Sequence, residues 1–226
     1  DFSTLKDATF QPDPSIPPGD PDKTSDPLLK KWHTDHGGLY ATNGGALAFM
    51  MSSNVNTRKH DPDLFVFGIP AAFRGYYWGW SKELLWSTKG AGRDQRDLWS
   101  WVILKAYTDN NQGLVRLRTA DPFDVPDIDF NSFPRGADDK DAYALVETVG
   151  HIRDTNLKIK GLRKEIQPGK DLTTAEALND WVRQQAWGHH ACGTCRMGRD
   201  PWRASVRHLD DKGAVLDSKF RVHGVE

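Results

Sequence analysis

Residues 187–198 of this chain read Trp187-Gly188-His189-His190-Ala191-Cys192-Gly193-Thr194-Cys195-Arg196-Met197-Gly198. This stretch contains two adjacent histidines, three glycines and both cysteines of the 226-residue chain. Imidazole exchanges protons near neutral pH, so a histidine on such a loop is a candidate general base. Gly193 and Thr194 are expected to shape a turn, since glycine lets the backbone approach a ligand without a Cβ clash. The stretch therefore predicts a glycine-containing loop that carries two histidines.

Two helices are predicted before this loop. The nearer one should open at Thr173, which forms a capping box with Glu176, and should end near Gly188. The other should span residues 138–157, because apolar side chains recur there at helical spacing. The apolar positions of the two helices are Ala142, Leu145, Val146, Val149 and Ile152, and Leu178, Trp181 and Val182.

Strands are predicted further towards the N-terminus. Residues 37–53 fit strands or a strand and a turn, and residues 63–70 have the β-branched and aromatic pattern of a buried strand. Residues 98–107 and 113–118 are predicted to form an antiparallel hairpin, since Asp and Asn between them tolerate turn geometry. The alternation of Val115 and Leu117 with arginines predicts one buried face in the second strand.

Composition limits the classes of function. The chain has 30 Lys and Arg residues against 31 Asp and Glu residues, so no strong field favours nucleic acid as a partner. No apolar run approaches the roughly 20 residues that cross a bilayer. Two cysteines exclude a multi-disulfide framework. The chain starts at Asp1 without Met and stops at Glu226 inside an apolar segment, and we expect it to be a fragment.

Several ordered motifs resemble those of the glucose-methanol-choline (GMC) flavoprotein oxidoreductases. The run Gly113-Leu114-Val115-Arg116-Leu117, followed by Asp121-Pro122, Pro126 and Ile128, is similar to a strand and proline segment of that family. The His-x-x-Gly-Thr-Cys-Arg-Met-Gly loop follows in the same order. Residues 213–217 and 220–226 then resemble the strand that leads back to the flavin. Residues 38–49 and 61–64 resemble the start of the family's substrate domain more loosely.

The resemblance implies an α+β fold with a largely antiparallel six-stranded sheet flanked by helices. Residues 1–184 would be part of the substrate-binding (cap) domain. Residues 185–226 would be a C-terminal segment that carries the catalytic histidine towards a missing Rossmann-like FAD domain. The G-x-G-x-x-G fingerprint of that domain does not occur in this chain.

The resemblance also implies the chemistry, which is FAD-dependent oxidation of an alcohol to a carbonyl by a choline or alcohol dehydrogenase or oxidase. The family's histidine lies four residues before the loop threonine, a position that His190 holds here. His190 would be the base and the flavin would take the hydride. His189 would contact the flavin. An equal alternative is that His189 is a surface residue or only forms hydrogen bonds within its own loop. A second family His or Asn would lie beyond Glu226, so we expect the fragment alone to be inactive.

Aromatic residues follow the strand at 63–70. Phe65, Phe67 and Trp78 are candidates for the border of an alcohol-substrate pocket, since aromatic walls bury ligand area at little entropic cost. Phe73, Tyr76, Tyr77, Trp78 and Trp80 form one aromatic group in sequence. Core or domain-interface packing is the plainer interpretation of this group.

Other interpretations of the loop stay open. Cys192-Gly193-Thr194-Cys195 is formally a C-x-x-C redox pair, although thioredoxin-like pairs open a helix after a strand. His189, His190 and the two cysteines could ligate zinc, although structural zinc sites usually use two separated pairs of ligands. The same scaffold could also act as a hydroxynitrile lyase, or this piece could be a non-catalytic module that covers substrate.

Overall fold

The computed structural model describes residues 27–58, 60–81, 98–108, 110, 112–134, 139–162, 164–190, 192–199 and 214–225. These residues fall into two compact units. Unit 1 consists of the described parts of 1–109 and 135–187, and unit 2 of the described parts of 110–134 and 188–226. No helix among the described residues is long and apolar enough to cross a membrane.

The core of unit 1 is a three-stranded antiparallel sheet, whose strands are β1 (Leu47–Met51), β2 (Leu64–Ile69) and β3 (Ser100–Lys105). Strand β2 is central, and Val66 pairs with Phe49 on one side and with Ile103 on the other. Leu64 and Val66 are buried, as expected for the buried strand that the aromatic and β-branched run predicts. The predicted strands at 63–70 and 98–107 are confirmed, and β1 confirms a strand within 37–53.

Helix α1 (Pro27–Asp35) is followed by a short 3-10 helix (Leu39–Ala41), and helix α2 (Lys140–Asn156) covers one face of the sheet. The Trp101 indole N–H donates to Asn156 Oδ1 over 3.0 Å, and the rings of Phe49 and His151 lie 6.0 Å apart. Directly paired residues share a face of a sheet, so α2 lies on the Val66 face. The helix predicted over 138–157 is confirmed.

Helix α3 (Ala175–Gln185) begins one residue later than the predicted capping box requires. Thr174, not Thr173, is the N-cap, and its hydroxyl accepts from the Ala177 N–H over 3.2 Å. The shift moves the third helical position from Glu176 to Ala177, so no glutamate completes a capping box. Leu178 and Val182 are buried, as the apolar stripe predicts.

A buried carboxylate links the strands of unit 1. Asp63 accepts from the backbone N–H and the hydroxyl of Ser53, both over 2.7 Å, and its Oδ2 lies 3.2 Å from Lys105 Nζ. Burial raises the pKa of Asp63, but the Ser53 and Lys105 contacts outweigh burial and hold that pKa below its usual value of 3.8. The charged form is therefore the one that the fold stabilises.

Unit 2 corrects the predicted hairpin between residues 98–107 and 113–118. Strand β4 (Leu114–Arg116) pairs antiparallel with β5 (Asp127–Asp129), whereas β3 pairs with β2 in unit 1. The reversal uses Asp121, whose carboxylate accepts from the Phe123 N–H over 2.9 Å and whose carbonyl accepts from the Asp124 N–H over 3.2 Å. All three residues of β4 are exposed, so the predicted buried face is also wrong for the described residues.

The fold class is α+β with antiparallel sheets, as the resemblance implies. The described residues form a three-stranded sheet and a two-stranded sheet, not one six-stranded sheet. The two sheets belong to different units.

Candidate functional site

The histidine pair lies on an irregular segment after α3. The last helical turn closes when the Ala186 N–H donates to Val182 O over 2.8 Å, and Ala186 then takes an extended conformation. His189 and His190 follow in unit 2, and both are exposed. The sequence prediction that both lie just beyond a helix is confirmed.

A tight turn follows the histidines. Gly193 has a φ of +112°, in the left-handed region that favours glycine, and the Arg196 N–H donates to Gly193 O over 3.1 Å. A Cβ built on Gly193 would meet no atom within 4 Å. Backbone conformation, not crowding inside the described chain, therefore accounts for glycine at this position.

Three separate segments of unit 2 pair beside this turn. Met197 forms a parallel bridge with Leu216, and Leu216 forms an antiparallel bridge with Val222. The Val215 N–H donates to Arg196 O and the Gly198 N–H donates to Leu216 O, each over 2.9 Å. We call Met197, Leu216 and Val222, with these hydrogen bonds, the bridging ladder. It fixes the C-terminal end of the histidine loop.

His223 adds a contact that the sequence did not predict. Its Nε2 lies 3.0 Å from the carbonyl oxygen of Gly198, a distance at which a protonated Nε2 donates a hydrogen bond. Its backbone N–H donates to Val215 O over 2.9 Å. No local sequence pattern indicates the contact of His223 with Gly198, because the two residues lie 25 positions apart in the chain.

Asp217 closes the turn between the last two segments of the bridging ladder. Its carboxylate accepts from the N–H groups of Lys219 and Arg221 over 2.8 and 3.0 Å, and from Arg221 Nε over 2.8 Å. The Arg221 backbone N–H, then its guanidinium, lower the pKa of Asp217 from 3.8 to about 2. The negative charge of Asp217 therefore holds this turn.

Replacing Asp217 by Asn is expected to speed amide exchange at Arg221 by about tenfold at neutral pH, because a charge-assisted acceptor is lost. The folded-state pKa is depressed, so wild-type protection should be complete above 3.8 and lost as the pH falls through about 2. Hydrogen exchange read by NMR measures both effects. Asp129→Asn in the same unit is the control and should leave Arg221 unchanged.

The three predicted pocket residues lie in unit 1. Phe65 and Phe67 are on the β2 face opposite the Val66 face, and their ring centroids are 5.7 Å apart. Phe65 is 38% exposed and its β1 partner Met50 is 71% exposed, so this face is open among the described residues. Trp78 lies in a turn and is fully exposed.

A sequence profile of the GMC oxidoreductases matches residues 109–226, just over half of the chain. The matched range contains the histidine loop, the bridging ladder and the β4–β5 pair. The chain belongs to the GMC oxidoreductase family. The resemblance inferred from the ordered motifs is thereby confirmed.

Curated relatives carry consistent names. The chain is 32% identical over 126 residues to the "Glucose methanol choline oxidoreductase atC" of Aspergillus terreus, covering 55% of this chain and 19% of that protein. It is 33% identical over 117 residues to the "Oxygen-dependent choline dehydrogenase" of Cronobacter sakazakii, covering 51% of this chain and 19% of that protein. The chain thus matches about a fifth of the length of these relatives.

The two alternative interpretations of this loop, a redox pair and a zinc site, both involve Cys192 and Cys195. Cys192 and Cys195 are both free thiols and both exposed. Within the described ranges, no group of three or more His, Cys, Asp or Glu side chains is arranged to hold a metal ion. The loop also carries two exposed imidazole side chains, those of His189 and His190, and imidazole is a side-chain type that can serve in proton transfer.

Proposed function

We propose that the complete protein containing this chain is an FAD-dependent oxidoreductase that converts an alcohol to a carbonyl, as a choline or alcohol dehydrogenase or oxidase. The observation that carries the proposal is the exposed His190 on a GMC loop that the bridging ladder fixes at one end. Family membership supports the reaction class. That the substrate is an alcohol is itself proposed.

His190 acts as the base in this proposal. Its imidazole takes the hydroxyl proton of the alcohol, which makes the carbon a better hydride donor. The exposed side chain can reach a ligand without rearrangement of a buried core. His189, also exposed, contacts the cofactor.

The loop suits a flat, largely apolar cofactor such as the FAD ring system. Among the described residues, no atom lies within 4 Å of a Cβ built on Gly193, and the apolar side chains of Met197, Phe220 and Val222 are exposed around the bridging ladder. A backbone without Cβ and a set of exposed apolar side chains are what a planar ring can pack against. FAD, when bound, supplies the hydride acceptor.

A partner for unit 2 is the FAD-binding portion of the same protein, which the proposal places outside this chain. The exposed apolar residues of 110–134 support it, since a concentration of large exposed apolar side chains is typical of a surface that another part of a protein covers. They are Leu114, Val115, Leu117, Phe123, Val125, Ile128 and Phe130. The chain alone should be inactive because it lacks that portion.

The remaining assignments extend the same proposal to the rest of the chain. Residues 1–184 belong to the substrate-binding domain, whose complete sheet has six strands, and residues 185–226 return towards the FAD domain. Phe65, Phe67 and Trp78 border the substrate pocket. The open β2 face supports the first two, because α2 covers the opposite face.

The test is anaerobic addition of primary and secondary alcohols, choline among them, to the complete protein with its flavin. We expect that adding an alcohol substrate reduces the flavin, which lowers its absorbance. The aldehyde or ketone formed from that alcohol should be detected as the product. Cyanohydrin cleavage without bleaching would instead establish a lyase. Failure to retain flavin at all would favour a non-catalytic module.

A further inference from the structure

Four aromatic rings of unit 1 pack against one another, and we call them the aromatic cluster. Five pairs of these rings are in edge-to-face contact, with centroids 4.8 to 5.8 Å apart and interplanar angles of 79 to 88°. Such T-shaped pairs are the preferred geometry of aromatic contacts. The cluster consists of Phe73, Tyr76, Trp80 and Trp187. Because its rings pack on each other, they form a packed unit and not an open cage.

Gly75 lets Trp187 into this cluster. Gly75 is buried with a φ of +105°, and a Cβ built on it would lie 2.6 Å from Trp187 Nε1 and 2.7 Å from Trp187 Cδ1. Real Cβ atoms do not come that close, so any side chain at position 75 must displace the indole. The position is thus specific for glycine on two grounds, backbone conformation and contact.

The segment that carries Gly75 is attached to the sheet. The Phe73 N–H donates to Ser100 Oγ over 2.9 Å, and that hydroxyl donates to Ala71 O over 2.6 Å. Ser100 is the first residue of β3. The sheet thereby holds the 71–75 segment, and the aromatic cluster holds Trp187 against that segment.

Trp187 is the last residue of unit 1, and His190 follows three positions later. Three residues span at most about 11 Å, so the anchor of Trp187 limits where the His190 backbone can lie. Gly188 has no side chain to fix this short connection. The position of Trp187 therefore constrains the start of the loop, and the bridging ladder constrains its end.

We propose that Gly75 and Trp187 are positioning residues for His190. This inference rests on the proposed function for its effect on catalysis. Neither residue touches the reacting atoms in this proposal. They set the starting point of the loop, and a displacement of about 1 Å at a reacting group can cost a hundredfold in rate.

The test compares Gly75→Ala with Gly79→Ala in the complete protein. Gly79 also has a positive φ, +84°, but a Cβ there would meet no atom of the described residues within 4 Å, so Gly79→Ala reproduces the backbone strain without the contact that Gly75→Ala makes. We expect Gly75→Ala to lower the rate of flavin reduction at saturating alcohol by about 30-fold or more, with KM changed by less than about threefold. Gly79→Ala should stay within about threefold of wild type.

A second pair of variants keeps the proposal testable if Gly75→Ala does not fold. Trp187→Ala should lose about as much rate as Gly75→Ala, and Trp187→Phe should recover most of it, because a smaller ring can still pack edge-on. Trp32→Phe, a change at another half-exposed tryptophan of unit 1, is the control. If Trp187→Phe lowers the rate of flavin reduction as much as Trp187→Ala does, the packing argument is contradicted.

An NMR measurement tests positioning without activity. The His190 ring signal, assigned by its disappearance in His190→Gln, should shift or broaden in Gly75→Ala and Trp187→Ala and stay in place in Gly79→Ala. An unchanged signal in Trp187→Ala would overturn the inference. If His190→Gln reduces flavin as fast as wild type, the proposed function fails, while the ring signal still decides the positioning role.

Discussion

Replacement of His190 by Gln in the complete protein is expected to slow alcohol-dependent flavin reduction by about 10²- to 10⁴-fold. Glutamine approximates the size and hydrogen-bonding capacity of imidazole but cannot take up the hydroxyl proton of the alcohol. The flavin should remain bound, since the loop backbone and the bridging ladder are unchanged. Anaerobic rapid mixing with alcohol, followed by flavin absorbance, measures the rate and the flavin content together.

Two other histidines make the comparison specific. His60→Gln changes an exposed histidine of unit 1 and should leave the rate within about twofold. His189→Gln should lower flavin retention more than it lowers the reduction rate of the molecules that keep flavin. A His190→Gln protein that reduces flavin at the wild-type rate, or a larger rate loss in His189→Gln, would assign the base to another group.

Replacement of Asp63 by Asn is expected to have the largest effect on stability, about 3 kcal/mol at neutral pH. The change removes the charge that Lys105 Nζ faces at 3.2 Å in a buried setting, and it places an amide where Ser53 donates twice. Asp141, whose Oδ1 lies 3.5 Å from Lys105 Nζ, still neutralises part of the Lys105 charge in the variant. The loss of stability should therefore lie at the low end of the range observed when one partner of a buried ion pair is removed. Native-state amide exchange of β2 measures the free energy of opening.

The pH dependence gives an independent check on Asp63. Its folded-state pKa is depressed, so its contribution is present above the unfolded value of 3.8 and lost as the pH falls below it. The difference in stability between the wild type and Asp63→Asn should therefore become smaller as the pH falls below 3.8. Asp35→Asn, which removes an exposed pair with Lys31, is the control and should cost less than about 0.5 kcal/mol. Equal costs for both changes would refute the buried-pair account.

Local patterns predicted the elements of this fold well and their partners poorly. Strand β2 was predictable because residues 63–70 form a short run of aromatic and β-branched side chains bounded by prolines. The hairpin was wrong because neighbouring strands were assumed to pair, whereas the Asp121 turn offers a second reversal that brings β5 to β4. The N-cap was misplaced by one residue because Thr173 and Thr174 are equally good caps in sequence.

The candidate site was predictable only as far as its residues are contiguous. The position of His190 after a helix follows from residues 173–190. The bridging ladder joins Met197, Leu216 and Val222, and it depends on pairings that no periodicity encodes. Asp63 was missed because a carboxylate at a strand start is ordinarily solvated, and only the fold brings Ser53 and Lys105 to it. The contact of Gly75 with Trp187 spans 112 positions and has no local signal.

The measurement that tests the central claim most directly is a crystal structure of the complete protein with FAD and a non-reacting alcohol analogue. The account predicts that a ring nitrogen of His190 lies within about 3.2 Å of the analogue's hydroxyl oxygen, the reach of a general base. A structure in which another side chain contacts that oxygen, while His190 points away from both analogue and flavin, would contradict it.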